Sequence, residues 1–367
     1  MKTGGAALEP TETAQGSQEA LTGVGRARLA TRPLLRFAVW AAVASGVLAW
    51  LIPTLWVSDP LSGSETRALA GFGVLLLEVF AFHGGLALLA IAPVALLARR
   101  RFAAVALLVL AAVHSGPGFA AALRSPAPIP TENPVLTVLS HNLLFSSASL
   151  DDLAAIVEAE QPDVIMLQEV VAARGHEILT RFSGEYPHHV WPATHRWGAV
   201  LLSRTPFMDR EIVPGQAAWP IDQPAGVIEF SGTTITVMSV HLPAPNRLDQ
   251  LVAGPQMSSR LAGWIGDRQA ADPGAAMVLA GDFNAPLWAS RMAVLRDAGL
   301  AGAHGAAGTG RGGTWPAHRG LGIVPGIRLD QAASVGPLRC VESRVLGSTG
   351  SDHRPILVRY ARTPAGD

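Results

Sequence analysis

Three long apolar runs occupy the first third of the chain, and a shorter, alternating rhythm replaces them from residue 135 onward. The run over 37–57 is uncharged, that over 68–98 is interrupted only by Glu78 and His83, and that over 102–123 carries Gly116-Pro117-Gly118. At about 1.5 Å per residue each can cross a hydrocarbon layer of roughly 30 Å. A proline in such a helix is tolerated where neighbours satisfy the freed carbonyl. The pattern predicts three transmembrane helices in a membrane domain over 37–123. A cleaved signal peptide is the alternative for the first run, with Ala68-Leu69-Ala70 resembling a cleavage site. The run is long for a signal core, that triplet lies far from its end, and two more apolar runs follow. Residues 1–36 show neither period and predict a disordered tail.

After residue 135, short apolar runs bounded by turn residues predict strands over 135–145, 163–170, 198–204, 226–230, 234–242, 275–279 and 355–360. Helical spacing predicts helices over 150–160 and 248–270. Strands with interspersed helices over 135–363 predict one α/β domain. Residues 124–134 are a proline-rich linker whose reach, at about 3.1 Å per residue, is roughly 30 Å. The domain must therefore sit close to the membrane surface.

Charge sets the orientation. The chain carries 28 basic and 28 acidic residues, 15% of the total against 49% hydrophobic, which excludes a wholly soluble or wholly disordered chain. Arg26, Arg28, Arg32 and Arg36 precede the first run and Arg99-Arg100-Arg101 lie between the second and third. The positive-inside rule puts these in the cytoplasm. Three crossings then deliver the α/β domain to the extracytoplasmic side. Glu78 and His83 lie five apart and are expected to pack between the helices, with His114 at the interface. Cys340 is alone, so no disulfide within the chain or cysteine-based metal site can form; it reads as a small core residue.

Polar groups fall at or just beyond the predicted strand ends: Asn142, Gln168-Glu169, His241, Gly281-Asp282-Phe283-Asn284 and Ser351-Asp352-His353. Any one of them reads most simply as a turn or cap. Together they hold two histidines, two aspartates and a glutamate, and ligands of α/β sheets gather beyond strand ends. Carboxylates and an amide carbonyl without cysteine suit a hard, oxygen-seeking cation such as Mg²⁺ rather than zinc. Histidines beside such a site can donate to a phosphate that gains charge. Asp330 is a candidate to orient one of them. The assembly suits metal-assisted displacement at phosphorus.

The ordered set Asn142, Leu167-Gln168-Glu169, Gly198 to Arg204, His241, Gly281-Asp282-Phe283-Asn284, Asp330 and Ser351-Asp352-His353-Arg354-Pro355 resembles the endonuclease/exonuclease/phosphatase superfamily, which includes DNase I, abasic-site endonucleases, sphingomyelinases and inositol-phosphate phosphatases. The likeness covers residues 135–361. It implies a four-layer αββα sandwich preceded here by three transmembrane helices. It implies Glu169 as principal Mg²⁺ ligand (Mn²⁺ the alternative), completed or supported by Asn142 and Asp352. Asp282 would orient or deprotonate water, and Asn284 would position water and phosphate. His353, held by Asp330, and His241 would stabilise phosphate oxygens or protonate the leaving group. His241 stands where abasic-site enzymes usually have tyrosine, and Gln331 where an aromatic residue or histidine is more usual. Gly313-Thr314-Trp315-Pro316 resembles a substrate-loop segment of membrane-attached bacterial members, with ordinary packing the alternative for Trp315. The whole layout resembles bacterial membrane proteins associated with teicoplanin resistance.

The implied function is a membrane-anchored, extracytoplasmic phosphohydrolase acting on an envelope phosphate ester, such as a lipid-linked one. A surface nuclease is the alternative. Residues 126–367 carry eighteen basic and twenty-two acidic side chains, which disfavours tight nucleic-acid binding, since that relies on neutralising phosphates. A binding module with a retired site is a third class, disfavoured because every expected acidic and histidine position is present. His188, His189 and His195, with Trp191 and Trp197, predict a loop beside the site. His141 should face away from Asn142 by strand alternation. His176, His304 and His318 read as surface residues, and Arg204 as either a phosphate ligand or a structural ion-pair partner.

Overall fold

The structure, a computed structural model, describes residues 13–56, 64–124, 135–193, 195–317 and 326–363. These form two compact units. One takes the chain up to Leu48 and Gly84–His114; the other takes Ala49–His83 and Ser115 onward.

Helix α1 (Thr13–Leu55) contains the first apolar run. It begins well inside the segment expected to be disordered, whose first twelve residues lie outside the described ones. Nucleating a helix is costly and extending one is cheap, so alanine, glutamine and arginine before the apolar run can continue its helix backwards. The second run is not the expected continuous helix. It divides into α2 (Glu65–Val79) and α3 (Ala81–Leu97), while the third run is α4 (Arg101–Ala122). Among the described residues, two helical segments, Pro33–Leu55 and Arg101–Ala122, are singly long and apolar enough to span a membrane; α2 and α3 qualify only as a bent pair. The three expected crossings thus become two or three.

In the first unit, Val39, Leu88, Ala92, Ala95, Ala103, Ala104 and Leu107 form a core of mostly small side chains. His114, expected at the membrane interface, donates from Nε2 to the Gly46 carbonyl at 3.0 Å.

The second unit carries two six-stranded sheets. The first is built from β1 (Val135–Phe145), β2 (Val164–Val171), β3 (His188–Val190), β4 (Trp197–Ser203), β11 (Leu338–Val345) and β12 (Ile356–Arg362), in the order β11-β12-β1-β2-β4-β3. The second holds β5 (Phe207–Val213), β6 (Gln223–Phe230), β7 (Thr233–His241), β8 (Ala276–Asp282), β9 (Ala301–Gly302) and β10 (Asp330–Val335), in the order β5-β6-β7-β8-β10-β9. Side-chain alternation explains how they stack. Leu136, Val138, Val164 and Met166 meet Ile235, Val237, Ala276 and Val278 between the sheets. Their odd-numbered neighbours Leu139, Ile165 and Leu167 pack outward with Leu153, Val157 and Ile178 of α5 (Leu150–Glu160) and α6 (Ala172–Phe182). On the other side Met238, Val240, Met277 and Leu279 pack with Met257, Leu261 and Ile265 of α7 (Leu248–Ala271). Three successive cores make four layers, α, β, β and α.

Helix α2 joins the α7 side of this sandwich. Its Leu75 is buried in that core, with Phe72 and Val79 packed against it. Fully burying a leucine contributes roughly 1.5–3 kcal/mol. Glu78 departs from its expected place between membrane helices. Its carboxylate accepts from the backbone N–H of Ser290, at 3.0 and 3.1 Å, and from the Ser290 hydroxyl.

Candidate active site

The inner faces of both sheets end together, and parity brings the polar groups there. In β8 the residues facing the other sheet are Ala276, Val278 and Ala280, so Asp282 follows on that face. In β7 they are Ile235 and Val237, followed by Ser239 and His241. In β1, Leu136 and Val138 lead to Ser140 and Asn142, and β10 presents Ala332 and then Asp330. Parity alone would send Glu169 outward. Instead β2 shifts register between Leu167 and Val170, and Glu169 takes φ 55°. This bulge re-aims the side chain.

The Asp282 carboxylate is the hub. Its Oδ2 accepts from Asn142 Nδ2 at 3.0 Å and from Asn284 Nδ2 at 3.2 Å, and its Oδ1 from the Asn284 N–H at 2.8 Å. His241 Nε2 and His353 Nε2 each lie 3.7 Å from that same Oδ2. Asn142 also donates to Glu169 Oε1 at 3.0 Å, and His241 Nε2 is 3.7 Å from that oxygen. On its far side, His353 donates from Nδ1 to Asp330 Oδ2 at 2.8 Å. Thr314 Oγ1 accepts the backbone N–H groups of Leu329 and Asp330, each at 3.1 Å. Ser351 Oγ donates to the Asn142 carbonyl at 2.7 Å and accepts the His353 N–H at 3.1 Å. The Gly281 position needs a glycine, because a Cβ there would run into the Val240 carbonyl of the adjacent strand.

Burial governs the protonation states. It raises Glu169 to about 7, helped by the nearby charges of Asp282 and Asp352 and opposed by the Asn142 hydrogen bond. Burial likewise raises Asp282, lowers His241 to about 4 against the pull of Asp282, and lowers His141 to about 3. For His353 burial is outweighed by the Asp330 and Asp282 carboxylates, which lift it to about 10. The site therefore pairs one cationic imidazole with one neutral one.

Among the described residues, two groups have ligand atoms close enough to share an ion: Glu169, His241 and Asp282, and Asp282, Asp330 and His353. Glu169 and Asp282 are crowded, buried and held above the usual carboxylate range, and a divalent cation beside them would favour their charged form. Asp352 Oδ1 is buried with no hydrogen-bond partner among the described residues, while its Oδ2 accepts from Trp315 Nε1 at 3.0 Å. The residues present fit a divalent ion. The Asn142 amide presents its NH₂ group to Glu169, and its Oδ1 accepts the Leu144 N–H at 3.0 Å. Here Asn142 clamps two carboxylates together; direct ligation requires its oxygen.

All eight sequence-derived candidates thus lie in one region, with Asp352 outside the two tight groups. His141 does turn away from the site, against Thr349 Oγ1 at 2.7 Å. Arg204 is structural: it donates to the Pro162 carbonyl, Gln161 and Glu185. His304, expected at the surface, is part-buried and donates from Nε2 to the Gly310 carbonyl at 3.1 Å; His318 lies outside the described residues. Sequence reasoning missed Gln223 and Trp219, both of which donate to the His241 carbonyl, at 3.2 and 2.9 Å. It placed Trp197 beside the site but missed the ring cluster that this residue forms with Phe145 and Trp219 against His241, with successive centroids 5.1–5.7 Å apart. Neither belongs to a motif, and only the clustering of tryptophans hinted at them.

A two-sheet α/β sandwich with carboxylates and histidines converging at one end of its inner faces defines a DNase I-like phosphohydrolase or nuclease fold. The sequence pattern of the Endonuclease/Exonuclease/phosphatase family matches residues 139–353. The chain belongs to that family, whose members hydrolyse phosphate esters, typically with a divalent metal. No curated protein matches the chain. Among solved structures, it is similar to an endonuclease/exonuclease/phosphatase from Bacteroides vulgatus (13% identity, TM-score 0.51, covering 62% of this chain and 99% of that one). A family protein from Leptotrichia buccalis (18%, 0.50, 61% and 99%) and TDP2 of D. rerio complexed with single strand DNA product (17%, 0.50, 62% and 99%) are similar to the same degree. These likenesses carry the fold.

Proposed function

We infer that the protein is a membrane-anchored, Mg²⁺-dependent phosphohydrolase that cleaves a phosphate ester outside the cytoplasmic membrane, with a lipid-linked phosphate as substrate class. The observation that carries the chemistry is the Asp330–His353–Asp282 relay, 2.8 Å on one side of the imidazole and 3.7 Å on the other. Glu169, oriented by the Asn142 amide, and Asp352 would hold Mg²⁺, which when bound draws charge from the phosphate oxygens. Asp282, held by Asn284 and raised by burial, accepts a proton from the attacking water. As the water oxygen bonds to phosphorus, the bond from phosphorus to the ester oxygen breaks. Cationic His353 gives its Nε2 proton to that departing oxygen. His241, neutral and buried, donates a hydrogen bond to a phosphate oxygen.

The membrane side rests on the apolar helices and arginine placement. The unit that holds the candidate site also takes the end of α1, all of α2 and the end of α4. Arginines before the first apolar run and Arg99-Arg100-Arg101 at the junction of α3 and α4 favour an odd number of passes between the start of α1 and the site. A tether of this kind raises the local concentration of headgroup substrates.

The test is hydrolysis by the full chain with Mg²⁺ on polyprenyl phosphate in detergent, sphingomyelin and plasmid DNA, with Glu169→Ala and His353→Ala beside it. Lipid hydrolysis that needs both side chains and is lost with EDTA supports the reading. Plasmid cleavage with inert lipids reverses it toward a nuclease.

A further inference from the structure

Glu78 and Phe82 lie four residues apart, on either side of the break between α2 and α3, and each touches a different loop of the candidate site. Glu78 takes the N–H and hydroxyl of Ser290 at the start of a short helical turn (Ser290–Met292). Such a start leaves backbone donors without partners inside the helix, and here a carboxylate from a distant helix supplies the acceptor. The segment it fixes runs back through Ala289 and Leu287, whose carbonyls accept from Arg296, to Asn284, which grips Asp282. Between Asn284 and Ser290 only Trp288 is exposed.

Phe82 holds the other loop. The Arg311 guanidinium lies over its ring, 3.7 Å from the centroid, a cation–π contact with a part-buried partner. Arg124 reinforces it by donating to the Gly305 carbonyl at 2.8 Å. From Arg311 the chain runs through Gly312, whose carbonyl accepts from Arg328 at 3.1 Å, to Thr314, which holds the backbone of Asp330, and Trp315, which holds Asp352.

We propose that Glu78 and Phe82 are positioning residues for the candidate site: the α2–α3 junction holds both of its loops, the one behind Asp282 and Asn284 and the one behind Asp330 and Asp352. This rests on the reading that these residues form the hydrolytic site. Displacing that junction would therefore displace both loops behind the site.

The test uses the full chain in detergent or lipid nanodiscs, with Glu78→Gln, Glu78→Ala, Ser290→Ala, the Glu78→Ala/Ser290→Ala pair and Phe82→Leu. Two readouts are taken: hydrogen exchange of the segments 284–292 and 305–316, and kcat and KM with Mg²⁺ on bis-p-nitrophenyl phosphate and on a polyprenyl phosphate. Glu78→Ala should raise exchange in 284–292, and Phe82→Leu in 305–316. Each should lower kcat about tenfold with KM nearly unchanged, as expected for lost alignment and not lost binding. Glu78→Gln, which keeps an acceptor, should restore most of the rate, and the double variant should lose little more than Glu78→Ala alone. Unchanged exchange, or altered exchange with unchanged kcat, overturns the proposal. If the wild-type chain hydrolyses neither ester, the functional reading fails separately, and the exchange data still decide whether these two residues hold the loops.

Discussion

His353 stands between two carboxylates, donating from Nδ1 to Asp330 at 2.8 Å while its Nε2 faces Asp282 Oδ2 at 3.7 Å. Burial opposes its charge, but the two acids outweigh burial and lift it to about 10. The ring is then cationic across neutral pH and can give a proton to a leaving group. Asp330→Asn removes one of the two acids. The pH–rate profile should lose its alkaline limb from near 10 and fall off nearer neutrality, because the ring now deprotonates earlier. At pH 8 kcat should drop by about 10²-fold or more, the range for a displaced general acid. An unshifted alkaline limb would rule His353 out as the acid.

Glu169 couples metal binding to protons. In the ion-free site its carboxyl sits at about 7, raised first by burial and then by neighbouring carboxylates. A ligand must be deprotonated to bind, so Mg²⁺ affinity should rise with pH up to about 7 and then level. Calorimetry in buffers of different ionisation enthalpy should register nearly one proton released per ion at pH 6 and almost none at pH 8. Glu169→Gln should abolish that release. Release that persists in the variant would assign the proton to Asp282 or another group.

What the sequence made legible follows from what each element buries. Strands with continuous apolar runs, such as β1, β2 and β8, are readable because both faces pack in the sandwich. β5 was missed because four of its seven side chains are exposed and Asp209, Arg210 and Glu211 put three charges in a row. β10 (DQAASV) was missed because alanine and serine fill the tight space between the sheets, leaving no strand signature. The site residues were legible as motifs, yet their convergence depends on the register shift that turns Glu169 inward, which no local pattern announces. The second apolar run read as a single helix because hydropathy cannot distinguish lipid from protein. Phe72, Leu75 and Val79 face the core beside α7, and that partner is invisible from composition.

Gly281 precedes the hub aspartate with φ 154°, and a methyl there would collide with the Val240 carbonyl of β7. The two strands pair in parallel register, Val240 opposite Gly281 and His241 opposite Asp282. Gly281→Ala must therefore spread the strands that carry both side chains. It should cost about 2–4 kcal/mol of stability and weaken hydrolysis beyond what the loss of folded protein explains. The check is urea unfolding alongside kcat per folded molecule. A variant as stable as wild type would show that the strands give way at no cost.

His141 offers a stability test separate from catalysis. It is fully buried behind β1, hydrogen-bonded to Thr349 Oγ1 at 2.7 Å, and burial lowers it to about 3. Its ordinary value is near 6.5, so between about 6.5 and 3 the unfolded chain takes up a proton that the folded chain refuses. Stability contributed by the neutral ring is complete above that window and is lost as pH falls through it, at up to about 1.4 kcal/mol per pH unit for one proton. His241 and His304 shift in the same direction, each to about 4, so the wild-type slope is a sum. His141→Gln keeps a polar group able to reach Thr349 and removes one proton from that sum. Between pH 7.5 and 5, the unfolding free energy of the wild-type chain should therefore fall more steeply than that of the variant. Parallel slopes would mean that the His141 ring is protonated in the folded state, and that the interior behind β1 admits a charge.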